Sequence, residues 1–219
     1  MIIHEQMPEE EYRAHPAISN TDLSLFKDLL TGRIRYRRSQ ALRMGSAIHM
    51  AILEPDRWPA YRHKFAPNDL RRIEKVTKAA LRNEELQAMV QDEEVKKEVS
   101  MFWTDADTGI ECKARADLYL EGAFIGDLKS TSARQLDHFL ADAHRYEYNR
   151  QLAFYCSGAG VKEARLIGVS KNNMGRVFTA AYSMEGDFMK AGIQMYKALL
   201  RQLQEREDLQ EQFQQLKKG

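Results

Sequence analysis

The feature that most constrains the fold is a change of the hydrophobic period to two between residues 98 and 131. Around Ala114, apolar and polar side chains alternate, which is typical of a β-strand with one buried face. One side of this strand would carry Cys112, Ala114, Ala116, Leu118 and Leu120. The other side would carry Lys113, Arg115, Asp117 and Tyr119. A β-sheet is therefore predicted in the middle of the chain.

A second strand, over residues 124–129, follows a turn that we expect to centre on Gly122. With that turn, Leu120 pairs with Phe124, and Asp117 pairs directly with Asp127. Directly opposite residues of an antiparallel pair share a face, with their Cβ atoms roughly 5 Å apart. The predicted hairpin therefore brings two carboxylates together.

Two neighbouring carboxylates repel each other unless one is protonated or a cation lies between them. Mg²⁺ prefers such hard oxygen ligands, and Lys129 on the same face could position or deprotonate a water, or offset charge on a phosphate. The alternative is a solvated hairpin face, on which Asp117 and Asp127 pair with Lys113, Arg115 and Lys129. An isolated D…DxK pattern is short enough to recur by chance, so both interpretations stay open at this point.

Length and composition predict one globular domain over residues 1–219. The chain is 43% hydrophobic and 30% charged, as in ordinary water-exposed proteins. Its net charge of +1 does not indicate a nucleic-acid-binding protein, so any basic surface must be local. The two cysteines lack the spacing of a zinc site or a disulfide framework, and neither a signal peptide nor a membrane span is indicated. We therefore expect a cytoplasmic protein.

The predicted architecture is α/β, with a central mixed sheet that contains a three-stranded antiparallel meander and is flanked by helices. The N-terminal helical part covers residues 1–97 and the meander covers residues 98–131. Residues 132–183 contribute helices and two further strands, and a C-terminal helix covers residues 184–219. The tail of that helix could frame an oligomer contact or fray.

Within these parts, the hydrophobic patterns predict individual elements. Residues 1–18 are an irregular lead-in, and a helix capped at Ser19 ends near Gly32. Further helices are predicted over residues 44–53, 69–99 (one or two), 133–143 and 146–156. The two later strands are predicted over residues 165–170 and 176–183.

Two further groups of residues carry possible chemistry. Five arginines occur within eleven residues, and their pattern fits either phosphate contacts or a solvated surface: Arg33, Arg35, Arg37, Arg38 and Arg43. His49 lies beside the buried stripe of its helix, where it could be a metal ligand or a structural residue. Gln151 and Tyr155 lie four residues apart on one helix face, which fits a helix–helix contact or a functional pair.

The order of these motifs resembles the PD-(D/E)xK nuclease superfamily, in particular its RecB-type branch. The carriers are Gly45-Ser-Ala-Ile-His49 for GxxxH, Asp117 with Asp127-Leu-Lys129, and Gln151-Leu-Ala-Phe-Tyr155 for QxxxY. The local sequence is most similar to that of exodeoxyribonuclease VIII-like phage and prophage exonucleases. This similarity includes Ile18-Ser19-Asn20, Leu53-Glu-Pro55 and Tyr148-Asn-Arg-Gln151. Each motif alone is weak, whereas all of them in this order, over residues 18–160, are specific.

This resemblance implies a role for each matching residue. The metal ligands would be His49, Asp117, Asp127 and the main-chain carbonyl of Leu128. Lys129 would orient or activate the attacking water, and Gln151 and Tyr155 would support the site or contact the DNA backbone. Glu98 would serve a second cation, and Ser19 with Arg33, Arg35, Arg37 and Arg38 would hold a 5′-phosphate or the duplex. Two positions depart from the pattern, because Ala116 replaces proline and Asp127 replaces the longer glutamate.

The resemblance also implies an activity. Such enzymes use Mg²⁺, with Mn²⁺ as a substitute and one or two ions, to digest linear double-stranded DNA from 5′ ends. They release mononucleotides and leave 3′ single-stranded tails. They form homo-oligomeric rings, with a trimer favoured here, and act with a single-strand annealing recombinase in bacteria or phages. The alternatives are another RecB-type nuclease, acting on single strands or endonucleolytically in repair, and a non-catalytic DNA-binding protein of this fold.

Overall fold

The computed structural model describes residues 1–4, 7–33, 40–172 and 175–218, so Arg35, Arg37 and Arg38 lie outside the described residues. Its centre is a sheet of strands in the order β1-β2-β3-β4-β5-β6. The strands are β1 (Ile2–His4), β2 (Lys96–Thr104), β3 (Glu111–Leu120), β4 (Phe124–Thr131), β5 (Glu163–Ser170) and β6 (Val177–Ser183). β4 and β5 are parallel, and every other neighbouring pair is antiparallel. The predicted mixed sheet with its meander is confirmed.

Helices cover both faces of this sheet. They are α1 (Glu9–Ala14), α2 (Asn20–Leu30), α3 (Gln40–Leu53), α4 (Trp58–Tyr61), α5 (Pro67–Ala80), α6 (Glu84–Gln91), α7 (Leu136–Arg145), α8 (Tyr148–Ala159), α9 (Asp187–Glu205) and α10 (Glu207–Lys218). The first apolar cluster joins the sheet to α2 and to α7 through α10. The second joins it to α3, α5 and α6. Adjacent strand residues such as Phe124 and Ile125 belong to different clusters, as expected when both faces of a sheet are covered.

The hairpin between β3 and β4 forms with the predicted turn, but its paired positions end at Leu118 and Gly126 and do not include the expected pair of Asp117 and Asp127. Gly122 has φ +70°, a conformation that glycine adopts without a steric penalty. Leu120 pairs with Phe124 and Leu118 pairs with Gly126, which is the register expected from a turn centred on Gly122. The turn chemistry therefore sets which strand positions meet.

The predicted alternation along β3 is wrong at its C-terminal end. Cys112, Ala114 and Ala116 lie in the first cluster, whereas Leu118 and Leu120 pack in the second. The reason lies in the partner strand, where Glu98 has φ +54° and the ladder between β2 and β3 skips this position. The register is the same on both sides of this position, so the side chains change faces here without an inserted residue.

The N-terminal lead-in is more ordered than predicted, since it contains β1 and α1. Ile3 pairs with Met101 at the edge of the sheet. α1 buries no residue, so its sequence has no apolar stripe to reveal it. Its C-terminal carbonyls are satisfied from a distant strand, because Lys113 Nζ donates to the carbonyls of Tyr12 (2.8 Å) and His15 (2.7 Å). Tertiary contacts therefore stabilise a helix that local sequence does not indicate.

Other boundaries are corrected by contacts at the element ends. α3 begins at Gln40 instead of residue 44, and β2 begins at Lys96 instead of residue 98. α7 begins at Leu136 instead of residue 133, because β4 continues to Thr131 and a loop follows it. The C-terminal tail forms α10, which packs against α2 instead of fraying, with the Phe213 ring 5.4 Å from that of Phe26. In the described part of the chain, no helix is long and apolar enough to cross a bilayer.

Candidate functional site

A cavity of about 660 Å³ is lined among others by His49, Glu98, Leu128 and Lys129, whereas Asp117, Asp127, Gln151 and Tyr155 do not line it. His49 reaches it from α3 because Ile48 and Ile52 of the same helix are buried against the sheet. Gly45 permits this close packing, since a Cβ atom at that position would lie 2.4 Å from Ser130 Oγ on β4. The GxxxH spacing therefore seats α3 on β4 and directs the imidazole towards the acids.

His49 contacts two acids from neighbouring strands. Its Nε2 lies 2.9 Å from Asp117 Oδ2, and its Nδ1 lies 3.4 Å from Glu98 Oε1. One ligand atom from each of these residues lies within 4.8 Å of the other two. We call His49, Glu98 and Asp117 the acid–imidazole group. Its spacing allows one cation to contact all three side chains.

Glu98 reaches this group through the irregular backbone of β2. A non-glycine residue at φ +54° is strained by about 1 kcal/mol or more. Its Oε2 accepts a hydrogen bond from Arg115 Nε at 2.8 Å, while its Oε1 is buried and accepts none. A buried carboxylate oxygen without a donor fits a cation ligand better than a purely structural residue. The sequence patterns indicate only a secondary role for Glu98, and Arg115 pairs with it instead of with the two acids of the hairpin.

Asp127, Lys129 and Gln151 form a second, hydrogen-bonded group, which we call the amide–amine group. Lys129 Nζ donates to Asp127 Oδ1 and to Gln151 Oε1, both at 3.0 Å. Gln151 Nε2 in turn donates to Asp127 Oδ1 at 2.8 Å and to the Tyr155 hydroxyl at 3.3 Å. The QxxxY pair is therefore joined to the DxK segment, and it is more than a helix–helix contact.

The two groups are linked through the backbone of β4. The Leu128 N–H donates to Asp117 Oδ2 at 2.6 Å, which fixes the carboxylate beside His49. The tight acid–imidazole group contains Glu98, whereas Asp127 is bound to the amide–amine group. Metal coordination by Asp127 and by the Leu128 carbonyl therefore stays a prediction.

Burial and charge shift the pKa values of these residues in opposite directions. Burial alone would lower the pKa of Lys129, but the charges of Asp127 and Asp117 outweigh it and raise that pKa. Burial raises the pKa of Asp127, and the nearby Asp117 raises it further against the opposing effect of Lys129. Lys129 is therefore an ammonium in this environment, suited to stabilise negative charge.

Burial and neighbouring charges also shift the pKa values of the acid–imidazole group. Burial would lower the pKa of His49, yet the Asp117 carboxylate raises it to about 9. His49 in return lowers the pKa of Asp117, outweighing burial, whereas burial followed by Asp117 raises the pKa of Glu98. A divalent cation would stabilise the charged form of Glu98 and supply a partner for its unsatisfied oxygen. These residues therefore fit a metal, and its binding would require His49 to lose its proton.

Other residues of the site had weak or no sequence signals. The ring centroid of Tyr148, the first residue of α8, lies 5.1 Å from Lys129 Nζ. The sequence indicated this residue only through its position just before the QxxxY motif. Lys171, directly after β5, lines the same cavity and had no signal, because it stands in a turn-rich linker. Burial raises the pKa of Tyr155 well above its usual range, so its hydroxyl stays neutral.

The predicted 5′-phosphate residues do not line this cavity where the structure describes them. Ser19 Oγ accepts from the Asp22 N–H at 3.1 Å and donates to Asp22 Oδ2 at 2.7 Å, as the cap of α2. Arg33 is exposed and lines another cavity together with Arg145 and Arg150. A phosphate role for Ser19 and Arg33 stays a prediction, and Arg35, Arg37 and Arg38 lie outside the described residues.

Comparisons with known proteins identify the family and the fold of this chain. A family model described as a PDDEXK-like domain of unknown function (DUF3799) matches residues 24–215. A candidate exonuclease from Eubacterium rectale has a similar structure, with 18% identity, a TM-score of 0.63, and coverage of 90% of this chain and 86% of that one. This likeness shows a shared fold. No curated protein sequence matches the chain.

Two other solved structures are more distant. An alkaline exonuclease from Laribacter hongkongensis is 12% identical, with a TM-score of 0.47 and coverage of 95% and 96% of the two chains. A phage-related exonuclease from Haemophilus somnus 129PT is 14% identical, with a TM-score of 0.41 and coverage of 86% and 95%. Neither likeness is close enough to inform the site. The match over residues 24–215 shows that this chain belongs to the PDDEXK-like family DUF3799, and it confirms the predicted PD-(D/E)xK relationship.

Proposed function

We propose that this protein is a metal-dependent exodeoxyribonuclease that hydrolyses linear double-stranded DNA from 5′ ends. The observation that carries the proposal is the unsatisfied, buried Glu98 Oε1 within the acid–imidazole group, near the partly buried ammonium of Lys129 in the lining of the same cavity. An oxygen-rich cation site beside a fixed positive charge is what phosphodiester hydrolysis requires, because negative charge develops on the phosphate and on the attacking water.

His49, Asp117 and Asp127 would hold Mg²⁺, with the Leu128 carbonyl completing the shell and Glu98 serving the same or a second cation. A bound cation of this kind lowers the pKa of a water and neutralises charge on the scissile phosphate. Mn²⁺ is expected to substitute, since it accepts the same oxygen and imidazole ligands.

The other residues act by position and charge. The Lys129 ammonium stabilises the charge that develops on the phosphate oxygens, because its raised pKa keeps it protonated. Gln151 holds Lys129 and Asp127 at fixed distances, and Tyr155 accepts a hydrogen bond that orients the Gln151 amide. Asp117 orients the imidazole of His49 through Nε2. A preorganised network of this kind lowers the barrier because it needs little rearrangement during reaction.

The same proposal includes digestion from the 5′ end, release of mononucleotides and a role in recombination. They are supported by the motif resemblance to exodeoxyribonuclease VIII-like enzymes. The structural relative from Eubacterium rectale also carries an exonuclease name. We further propose a ring-shaped homo-oligomer, with a trimer favoured, that encircles DNA and supplies 3′ tails to a single-strand annealing recombinase.

The test compares linear duplex DNA with the same molecule closed into a circle, with Mg²⁺ and with a chelator. We expect Mg²⁺-dependent loss of the linear form alone, and release of a 5′ end label before a 3′ label. Digestion of the circle at a similar rate would contradict exonuclease activity and favour an endonucleolytic RecB-type enzyme. Tight DNA binding without any cleavage would favour the non-catalytic alternative.

A further inference from the structure

A second cavity, of about 490 Å³, is lined by basic residues from three parts of the fold. We call its five cationic residues the basic shelf: Arg71, Arg72 and Lys75 on α5, Arg134 after β4, and Lys171 after β5. Val76 and Asn172 complete the lining, and among the described residues no carboxylate contributes to it. The net charge of +1 for the whole chain therefore hides a local concentration of positive charge.

The basic shelf is continuous with the candidate nuclease site. Lys171 lines both cavities. Its backbone N–H donates to the Thr131 carbonyl at 2.8 Å, which holds it at the end of the parallel strands β4 and β5. Lys129 lies two residues before Thr131 on β4. A strand leaving the catalytic cavity past Lys171 would therefore meet the arginines of α5 next.

Several cations of the basic shelf have no carboxylate partner in the described part of the chain. Arg71 Nη2 donates to the neutral Asn68 Oδ1, and Arg72, Lys75 and Lys171 form no ion pair with the residues that the structure describes. Burial lowers the pKa of Lys171, and the positive charge of Arg72 lowers it further, so these two cations lie close to each other. Such an arrangement leaves a local excess of positive charge at the surface, which attracts external anions.

The other basic cavity shows the contrast. It is lined by Lys27, Arg33, Arg145 and Arg150, but also by Asp28 and Glu147. There Glu147 pairs with both Lys27 and Arg150. That cavity is therefore partly neutralised from within, although the buried Nε and Nη1 of Arg150 donate no hydrogen bond to the residues that the structure describes.

Resting on the proposed nuclease function, we infer that the basic shelf binds the sugar–phosphate backbone of the DNA adjacent to the scissile phosphate. Its residues are arginines and lysines without aromatic or amide side chains for reading bases, apart from the single Asn172, so contact would be independent of sequence. Guanidinium groups match phosphate oxygens with two parallel hydrogen bonds. Continuity with the catalytic cavity favours the polymeric substrate over an acidic protein as the occupant.

The experiment measures DNA binding without cleavage, in a chelator, by the fluorescence anisotropy of a labelled duplex of about 20 base pairs. The test variant carries Arg71→Gln, Arg72→Gln and Lys75→Gln together. The control carries Lys190→Gln, Lys197→Gln and Arg201→Gln on α9, which packs on the opposite face of the sheet. Both variants lose the same charge from one helix, and thermal unfolding checks that both remain folded.

We expect the shelf variant to bind about tenfold or more weakly at about 50 mM salt, because phosphate neutralisation dominates affinity. Its plot of log affinity against log salt should be shallower by about 1 for each phosphate that the variant no longer neutralises. The α9 control should retain nearly the wild-type slope. Poly-L-glutamate at matched charge should compete poorly for the wild-type protein.

Two outcomes would overturn the inference: wild-type affinity and slope in the shelf variant, or equal weakening in both variants. Competition by poly-L-glutamate as strong as that by unlabelled DNA would instead assign the surface to an acidic protein. Failure of the proposed nuclease function is a separate result, since it appears as no Mg²⁺-dependent cleavage by the wild-type protein, whatever the binding data show.

Discussion

The acid–imidazole group and the amide–amine group lie side by side but are built in different ways. The second lies on regular β4 and α8, and hydrogen bonds between 2.8 and 3.3 Å join its members. Its buried Asp127 Oδ2 accepts no hydrogen bond but lies 2.8 Å from the Lys129 ammonium. The first depends on a strained residue of β2 and leaves a buried oxygen without a donor. This difference suggests a division of labour, in which the first group attracts the cation and the second supplies one proposed ligand, Asp127, and positions Lys129.

The largest effect should come from removing one charge from either group. We expect Asp117→Ala and Lys129→Ala each to lower the rate of nucleotide release about a thousandfold, because each removes charge stabilisation at the reacting phosphate. DNA binding should be largely retained. Asp107→Ala and Lys197→Ala serve as matched controls, since these two residues pair with each other on the surface. Near-normal activity in either test variant would refute its assigned role.

The next effect concerns the stability of the metal-free protein. Its dependence on pH should arise from the acid–imidazole group. The pKa of His49 is raised from 6.5 to about 9 in the folded state. Since the folded state binds this proton more tightly, the contribution is fully present below pH 6.5 and is lost as the pH rises through about 9. It amounts to at most about 3 kcal/mol in the free energy of unfolding.

Urea unfolding in a chelator, from about pH 6 to about pH 10, measures this contribution. His49→Gln should flatten the decline in stability over that interval, whereas substitution of the exposed His138 should not. A wild-type profile in His49→Gln would show that the Asp117 contact does not stabilise the protonated imidazole.

A smaller effect should distinguish cation binding from positioning. We expect Glu98→Gln to raise the Mg²⁺ concentration for half-maximal activity about tenfold, since it removes a charged oxygen ligand. Gln151→Ala should instead lower kcat about tenfold at an unchanged Mg²⁺ requirement, because it loosens Lys129 and Asp127. Glu111→Gln, at an exposed position of β3, is the control. If both test variants shifted the Mg²⁺ requirement equally, the division between the groups would fail.

The smallest effect concerns how α3 carries the acid–imidazole group. Gly45→Ala should destabilise the protein by up to about 1 kcal/mol, because its Cβ would meet Ser130 Oγ at 2.4 Å. In a Ser130→Ala background the same change should be neutral or stabilising, since alanine favours helix and the remaining Ser130 Cβ position is 3.5 Å away. A double-mutant cycle by urea unfolding measures the coupling, and simple additivity would exclude this contact as the reason for the glycine.

The contrast between the groups also explains what the sequence could predict. The hairpin register followed from one turn glycine, and the strand period placed Asp127 and Lys129 on one face, whereas only the motif resemblance connected Gln151 with them. Glu98 was beyond such reasoning, because nothing in Lys-Lys-Glu-Val indicates a left-handed residue inside a strand. α1 was missed for a related reason, since Lys113, about a hundred residues away in sequence, supplies its C-terminal hydrogen bonds. Local pattern predicts regular elements, whereas irregular ones depend on distant contacts.

The backbone of Glu98 has a consequence for how this protein could evolve. Asparagine or glycine would adopt φ +54° with less strain, and neither would add a buried negative charge. Random libraries selected only for heat resistance should therefore drift away from glutamate at this position, while libraries selected for DNA turnover should restore it. Opposite outcomes of the two selections at this codon would show that Glu98 lowers the stability of the fold and raises its activity on DNA.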